Sequence, residues 1–120
     1  MKSYTDLEQS KRLAEFLPLK SADMGWNVFV DGTTRILPID DWDLVKDGSG
    51  NVKFHPAWSL AALLEELNRN CWNVSLKCCG AEWDMTYDDG ERYISVSADY
   101  TIDACYKMIV KLHEQNILQL

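Results

Sequence analysis

The sequence predicts an α+β fold: a mainly antiparallel sheet of about five strands with three helices packed against it, in the order αββαβββα. Three observations predict it. Apolar residues recur at helical spacing in three places, led by Leu7, Leu60 and Ile102. Period-two alternation fills the intervals between them, and Asp31-Gly32 and Asp89-Gly90 stand where a tight turn reverses the chain. Strands joined by such short turns are antiparallel. A chain of 120 residues, 47% hydrophobic and 26% charged, has the size and composition of one globular domain, residues 1–120.

Each element has its own signal. Thr5-Asp6-Leu7-Glu8 has the form of a capping box, the Thr5 hydroxyl accepting an orphan amide while Glu8 reaches back. Leu7, Ser10, Ala14 and Leu17 follow at helical spacing, and Pro18 ends the segment. From Gly25 the period becomes two. Trp26, Val28 and Val30 alternate with Asn27 and Phe29, Asp31-Gly32 turns the chain, and Arg35 to Ile39 returns, with Pro38 marking a sheet edge. Residues 40 to 55 carry a loop signal at Asp47-Gly48-Ser49-Gly50-Asn51, with room for short flanking strands.

Pro56 suits the first turn of a second helix whose stripe is Leu60, Leu63, Leu64 and Leu67, with Glu65 and Glu66 outside it and Asn68 to Asn70 as the stop. Cys71 to Cys78 reads as a strand with Trp72, Val74, Leu76 and Cys78 on one face, broken by Gly80. Trp83, Met85 and Tyr87 alternate up to Asp89-Gly90, and Tyr93 to Ser97 alternates back. Thr101 caps the last helix, whose stripe is Ile102, Cys105, Ile109 and Leu112. Asp103 precedes Lys107 by one turn in the favourable order on its exposed side. Asn116 suits the left-handed cap, with Ile117 as the hydrophobic contact beyond it. Trp26-Asn27-Val28 recurs as Trp72-Asn73-Val74, and Trp42-Asp43-Leu44 as Trp83-Asp84-Met85. The two spacings differ, so the echo reads as coincidence rather than duplication.

The net charge of −7 argues against direct nucleic-acid binding, which needs clustered Lys and Arg. The chain opens on a charged segment rather than a secretory signal, and its longest apolar run, Leu60 to Leu64, cannot cross a bilayer. A cytoplasmic protein with reduced thiols at Cys71, Cys78, Cys79 and Cys105 is the expectation. No C-x-x-C pair exists and His55 and His113 lie far apart, so neither metal nor cofactor is expected. An EF-hand begun at Asp43 would put Val45 and Phe54 where oxygen ligands are required. Gly48-Ser49-Gly50 lacks the Gly-Lys-Ser/Thr of a phosphate loop. Cys105 and His113 share the apolar side of one helix, where a core thiol and a rim histidine are the ordinary reading.

Acidic residues gather at Asp40-Asp41-Trp42-Asp43 and again at Glu82, Asp84, Asp88, Asp89 and Glu91. Charge runs usually mark solvated faces. Trp42 differs from Trp26, Trp72 and Trp83, which have apolar neighbours in register, because aspartates surround it in a loop. Asp40, Asp41, Trp42 and Asp43 are therefore the candidate binding residues.

Three blocks carry a resemblance: Pro56-Ala57-Trp58-Ser59-Leu60-Ala61-Ala62-Leu63-Leu64, the strands with Trp72 and Trp83, and Ala98-Asp99-Tyr100-Thr101-Ile102-Asp103-Ala104-Cys105 opening the last helix. Together they resemble small phage and prophage proteins of the phage ABA-sandwich domain type, in particular those of gut Bacteroides-type bacteria and their phages. The resemblance covers mainly residues 55 to 120, with a looser match at the first helix, and residues 40 to 54 have no counterpart in it. It implies helices on both faces of the sheet and transfers no catalytic residue. The function expected from it is a non-catalytic accessory protein of phage or prophage origin that binds an unidentified protein partner, away from membranes, as a monomer or small homo-oligomer. The alternatives are a small hydrolase-like enzyme using carboxylates in a cleft, and an acidic inhibitor that mimics nucleic-acid charge.

Overall fold

The computed structural model describes residues 2–38, 52–70 and 73–118. Helix α1 (Leu7–Ala14) and a 3-10 turn (Leu19–Ser21) lead into β1 (Met24–Phe29) and β2 (Thr34–Pro38). Next come β3 (Val52–Ala57), α2 (Leu60–Asn70), β4 (Val74–Cys79), β5 (Glu82–Asp88), β6 (Tyr93–Ala98) and α3 (Thr101–Glu114). Among the described residues the architecture is α+β and antiparallel, but six strands form two three-stranded sheets, ordered β2-β1-β3 and β4-β5-β6, where a single sheet of about five was expected.

The extra strand explains the difference. Residues 52–57 pair with β1 from Met24↔Ala57 to Phe29↔Val52, so Pro56 lies in a strand and not in a helix. An edge strand tolerates proline because one side of its ladder is unpaired. Helix α2 instead begins beyond Ser59, whose Oγ accepts the Ala62 amide at 3.2 Å while Asp23 Oδ1 accepts the Ser59 amide at 2.8 Å. The Asp31-Gly32 hairpin and the β5–β6 hairpin form as expected. At the first, Asp31 Oδ1 accepts both the amide and the hydroxyl of Thr33, and Gly32 takes a φ of 89°. Pro38 does lie on an edge strand, β2.

Capping of α1 falls one residue later than the sequence suggested. Asp6 is the cap and Gln9 completes the box. The Thr5 hydroxyl is committed elsewhere: buried, it bonds Ser10 Oγ at 2.7 Å and accepts the Trp58 amide at 3.1 Å. In α2 the buried stripe is Ala62, Leu63, Glu66 and Leu67, and Leu64 is turned partly outward. Glu66 is buried yet ion-paired with Arg69 at 3.1 Å. The stripe of α3 is as read, with Ile102, Cys105, Ile109 and Leu112 fully buried. Its cap is Tyr100 rather than Thr101, without a side-chain hydrogen bond. Asn116 takes the left-handed conformation at φ 58°, and Ile117 N–H donates to Leu112 O at 2.9 Å.

One apolar core joins the three helices of the described residues to a single face of the β4-β5-β6 sheet. Leu13, Trp58, Leu63, Met85, Ile102, Met108 and Leu112 are its central members. Strict alternation sends the other sheet face outward: Ser75, Lys77, Glu82, Tyr93, Ser95 and Ser97 are exposed. Among the described residues the helices therefore pack on one face of this sheet, not on both.

The β2-β1-β3 sheet adds little to that core. Trp26 is only half-buried, its Nε1 donating to Thr5 O at 2.8 Å and its ring meeting Tyr4 edge-on. Gly25 and Asn27 are the buried residues of β1, the opposite parity to the one expected. A side chain at Gly25 would overlap the Phe54 ring. The two sheets also differ in strand order, so the Trp-Asn-Val echo is not a repeated unit.

Candidate functional site

The segment before α1 lies across the first turn of α3, held by a polar knot. Lys2 Nζ donates to Asp103 Oδ1 at 2.6 Å, to Gln9 Oε1 at 2.9 Å and to Asp6 Oδ2 at 3.2 Å. Gln9 Nε2 donates to the same Asp103 oxygen at 2.7 Å, so the residue that closes the α1 capping box also ties α1 to α3. Burial opposes charge on Lys2, but its hydrogen bonds to Asp103 and Asp6 win and raise its pKa above 10.5. Burial likewise opposes charge on Asp103, and hydrogen bonds from Lys2 and Gln9 hold its carboxyl below 3.8. Both groups stay ionised across the neutral range. Lys107, the partner expected for Asp103, donates instead to Ser97 O at 2.8 Å.

Around this knot the surface is concave. Strand β5 begins opposite the end of β6, with Trp83 pairing Ala98, which brings Glu82 and Asp99 together just beyond the same end of that pair. One cleft of about 440 Å³ runs between Lys2, Glu82, Asp99, Tyr100, Tyr106 and Lys107. A second, of about 460 Å³, shares Lys2, Asp99 and Tyr100 and adds Trp83 and Thr101. Tyr100 is half exposed, at 49%. Burial raises the Tyr106 hydroxyl above 10.0. The side-chain carboxylates of Asp99 and Glu82 have no ion-pair or hydrogen-bond partner among the described residues.

The candidate binding residues Asp40, Asp41, Trp42 and Asp43 lie outside the described residues, as do Cys71 and Trp72. Of the second acidic stretch, Glu82, Asp84 and Asp88 share the outer face of β5, with Lys77 opposite Asp84. Asp89 is occupied with its own turn, its Oδ1 accepting the amides of Glu91 at 2.9 Å and Arg92 at 2.7 Å. Cys105 and His113 form no nucleophile–base pair. Burial pushes the Cys105 thiol up to about 12, while the His113 ring stacks flat on Phe16, centroids 3.9 Å apart. Cys78, Cys79 and Cys105 are free thiols. Among the described residues no group of three or more His, Cys, Asp and Glu side chains is placed to hold a metal ion, and no helix is long and apolar enough to cross a membrane.

The cleft went unread in the sequence because its parts are distant: Lys2 and Asp103 are 101 positions apart. The available signal was Tyr100, an aromatic just ahead of the helix stripe. Fold and site together define an α+β domain with a solvent-open cleft of ion-paired, acidic and aromatic side chains. No family model matches the chain, nor does any curated protein or solved structure.

Proposed function

We propose that the chain is a non-catalytic binding protein, of the phage or prophage accessory kind its sequence resembles, and that the cleft at the start of α3 is where a protein partner docks. The observation that carries this reading is the cleft's combination of an exposed aromatic ring with titratable groups moved away from neutrality. A general acid or base works best with a pKa near the operating pH. Here the shifts run the other way: Lys2 and Tyr106 upward, Asp103 downward. That pattern disfavours the hydrolase-like alternative and suits a pre-arranged docking surface, in which a half-exposed aromatic is a common anchor.

Immobilised protein should retain a partner from a lysate of a Bacteroides-type host, and Tyr100→Ala should release it. Retention unaffected by Tyr100→Ala would place the docking surface elsewhere. Hydrolytic turnover abolished by Asp99→Asn or Glu82→Gln would replace the binding reading with the enzymatic one.

A further inference from the structure

Resting on that reading of the site, the geometry points to a definite chemistry for the partner: we propose that the cleft receives an arginine side chain, its guanidinium lying against Tyr100 and paired with Asp99 and Glu82. The cations that line the cleft are already engaged. Lys2 is held by Asp103, Gln9 and Asp6, and Lys107 by the Ser97 carbonyl. The carboxylates of Asp99 and Glu82 have no such partner among the described residues, and with Asp6 and Asp103 they outnumber the two lysines that line the cleft, so its balance of charge is negative.

The walls choose among cations. Tyr100 lines the same cleft as Asp99 and Glu82. A planar guanidinium stacks on aromatic faces and bonds carboxylates through its fork of donors, whereas an ammonium offers a compact, strongly hydrated charge. A cleft of about 440 Å³ exceeds what one arginine side chain needs, leaving room for the backbone that carries it. The uncapped first turn of α3 offers amides as well, which would favour an anion. Asp103 inside that turn and Asp99 just ahead of it oppose an anion at the same place.

The test uses three capped tripeptides, acetyl-Gly-Xaa-Gly-amide, with arginine, citrulline or glutamate in the middle, titrated into the full chain. Amide NMR shifts report where each binds. The expected result is that the arginine probe moves the amides of Glu82, Asp99 and Tyr100. Citrulline, equal in shape but uncharged, should bind about tenfold more weakly, and Asp99→Asn with Glu82→Gln should weaken the arginine probe by a similar factor. Both substituted residues are exposed, so the double variant keeps its fold, which its unchanged remaining spectrum would verify.

Equal binding of arginine and citrulline, preference for glutamate, shifts confined to other surfaces, or no shifts at all would each overturn the proposal. A captured partner that still depends on Tyr100 while the arginine probe fails would leave the binding function standing and remove only its arginine chemistry.

Discussion

Cys105 and Cys79 show how two thiols on one chain acquire different reactivity. Cys105 is sealed within α3's buried stripe, and burial raises its pKa to about 12, so the thiolate that reacts is scarce at ordinary pH. Cys79 is exposed, but a hydrogen bond to the Asp84 carboxylate holds its thiol above the ordinary 9.0. Iodoacetamide labelling of the folded protein, read by peptide mass spectrometry, should leave Cys105 unmodified. Asp84→Asn should accelerate labelling of Cys79. Prompt labelling of Cys105 would mean that α3 opens readily.

Asn27 poses a separate residue-scale question. It is 1% exposed, and neither side-chain polar atom has a partner among the described residues. An unsatisfied buried amide costs about 1–3 kcal/mol, so Asn27→Leu, similar in volume, should hold or raise the melting temperature. A clear fall would reveal a hydrogen-bond partner for the amide.

Among the elements, the tie between the N-terminal segment and α3 is the one with a pH signature. Asp103 titrates lower in the folded protein than its ordinary 3.8, so its contribution is present above 3.8 and lost as pH falls through the lower folded value. Lys2 titrates above 10.5, so its contribution is present below 10.5 and lost as pH rises through the higher folded value. Asp103→Asn should therefore lower the melting temperature near neutrality and flatten its fall in acid. A difference from the parent that stays constant down to the acid limit would exclude the ion pair as the cause.

The same element shows what a sequence conceals. The α3 stripe was legible because burial follows a local period, and Asn116 because few residues tolerate a left-handed cap. The Asp103 pairing was not, since the Lys107 expected from local spacing competes with a lysine 101 positions away. Pro56 misled for a related reason: proline serves equally at a helix start and on a strand edge, and only the pairing of β3 with β1 decides which.

At the scale of the whole molecule, the division into two sheets makes stability uneven. Meander β4-β5-β6 buries Met85, Tyr87 and Ile94 under the helices, whereas β1 and β2 contribute no member to the central apolar cluster. Leu63→Ala and Ile109→Ala, both at fully buried positions, should each cost about 2–5 kcal/mol, measured by denaturant unfolding. The β1–β2 hairpin is held largely by backbone pairing, by the Trp26–Thr5 bond and by its link to β3. Its local opening should therefore take less free energy than global unfolding. Native-state hydrogen exchange should accordingly show β5 amides exchanging only with the whole molecule, while those of β2 exchange through a smaller opening that Leu63→Ala leaves almost unchanged. If β2 amides instead tracked the global stability and fell in step with β5 in that variant, the two sheets would form one cooperative unit, and the apolar cluster would reach further into the first sheet than its buried residues imply.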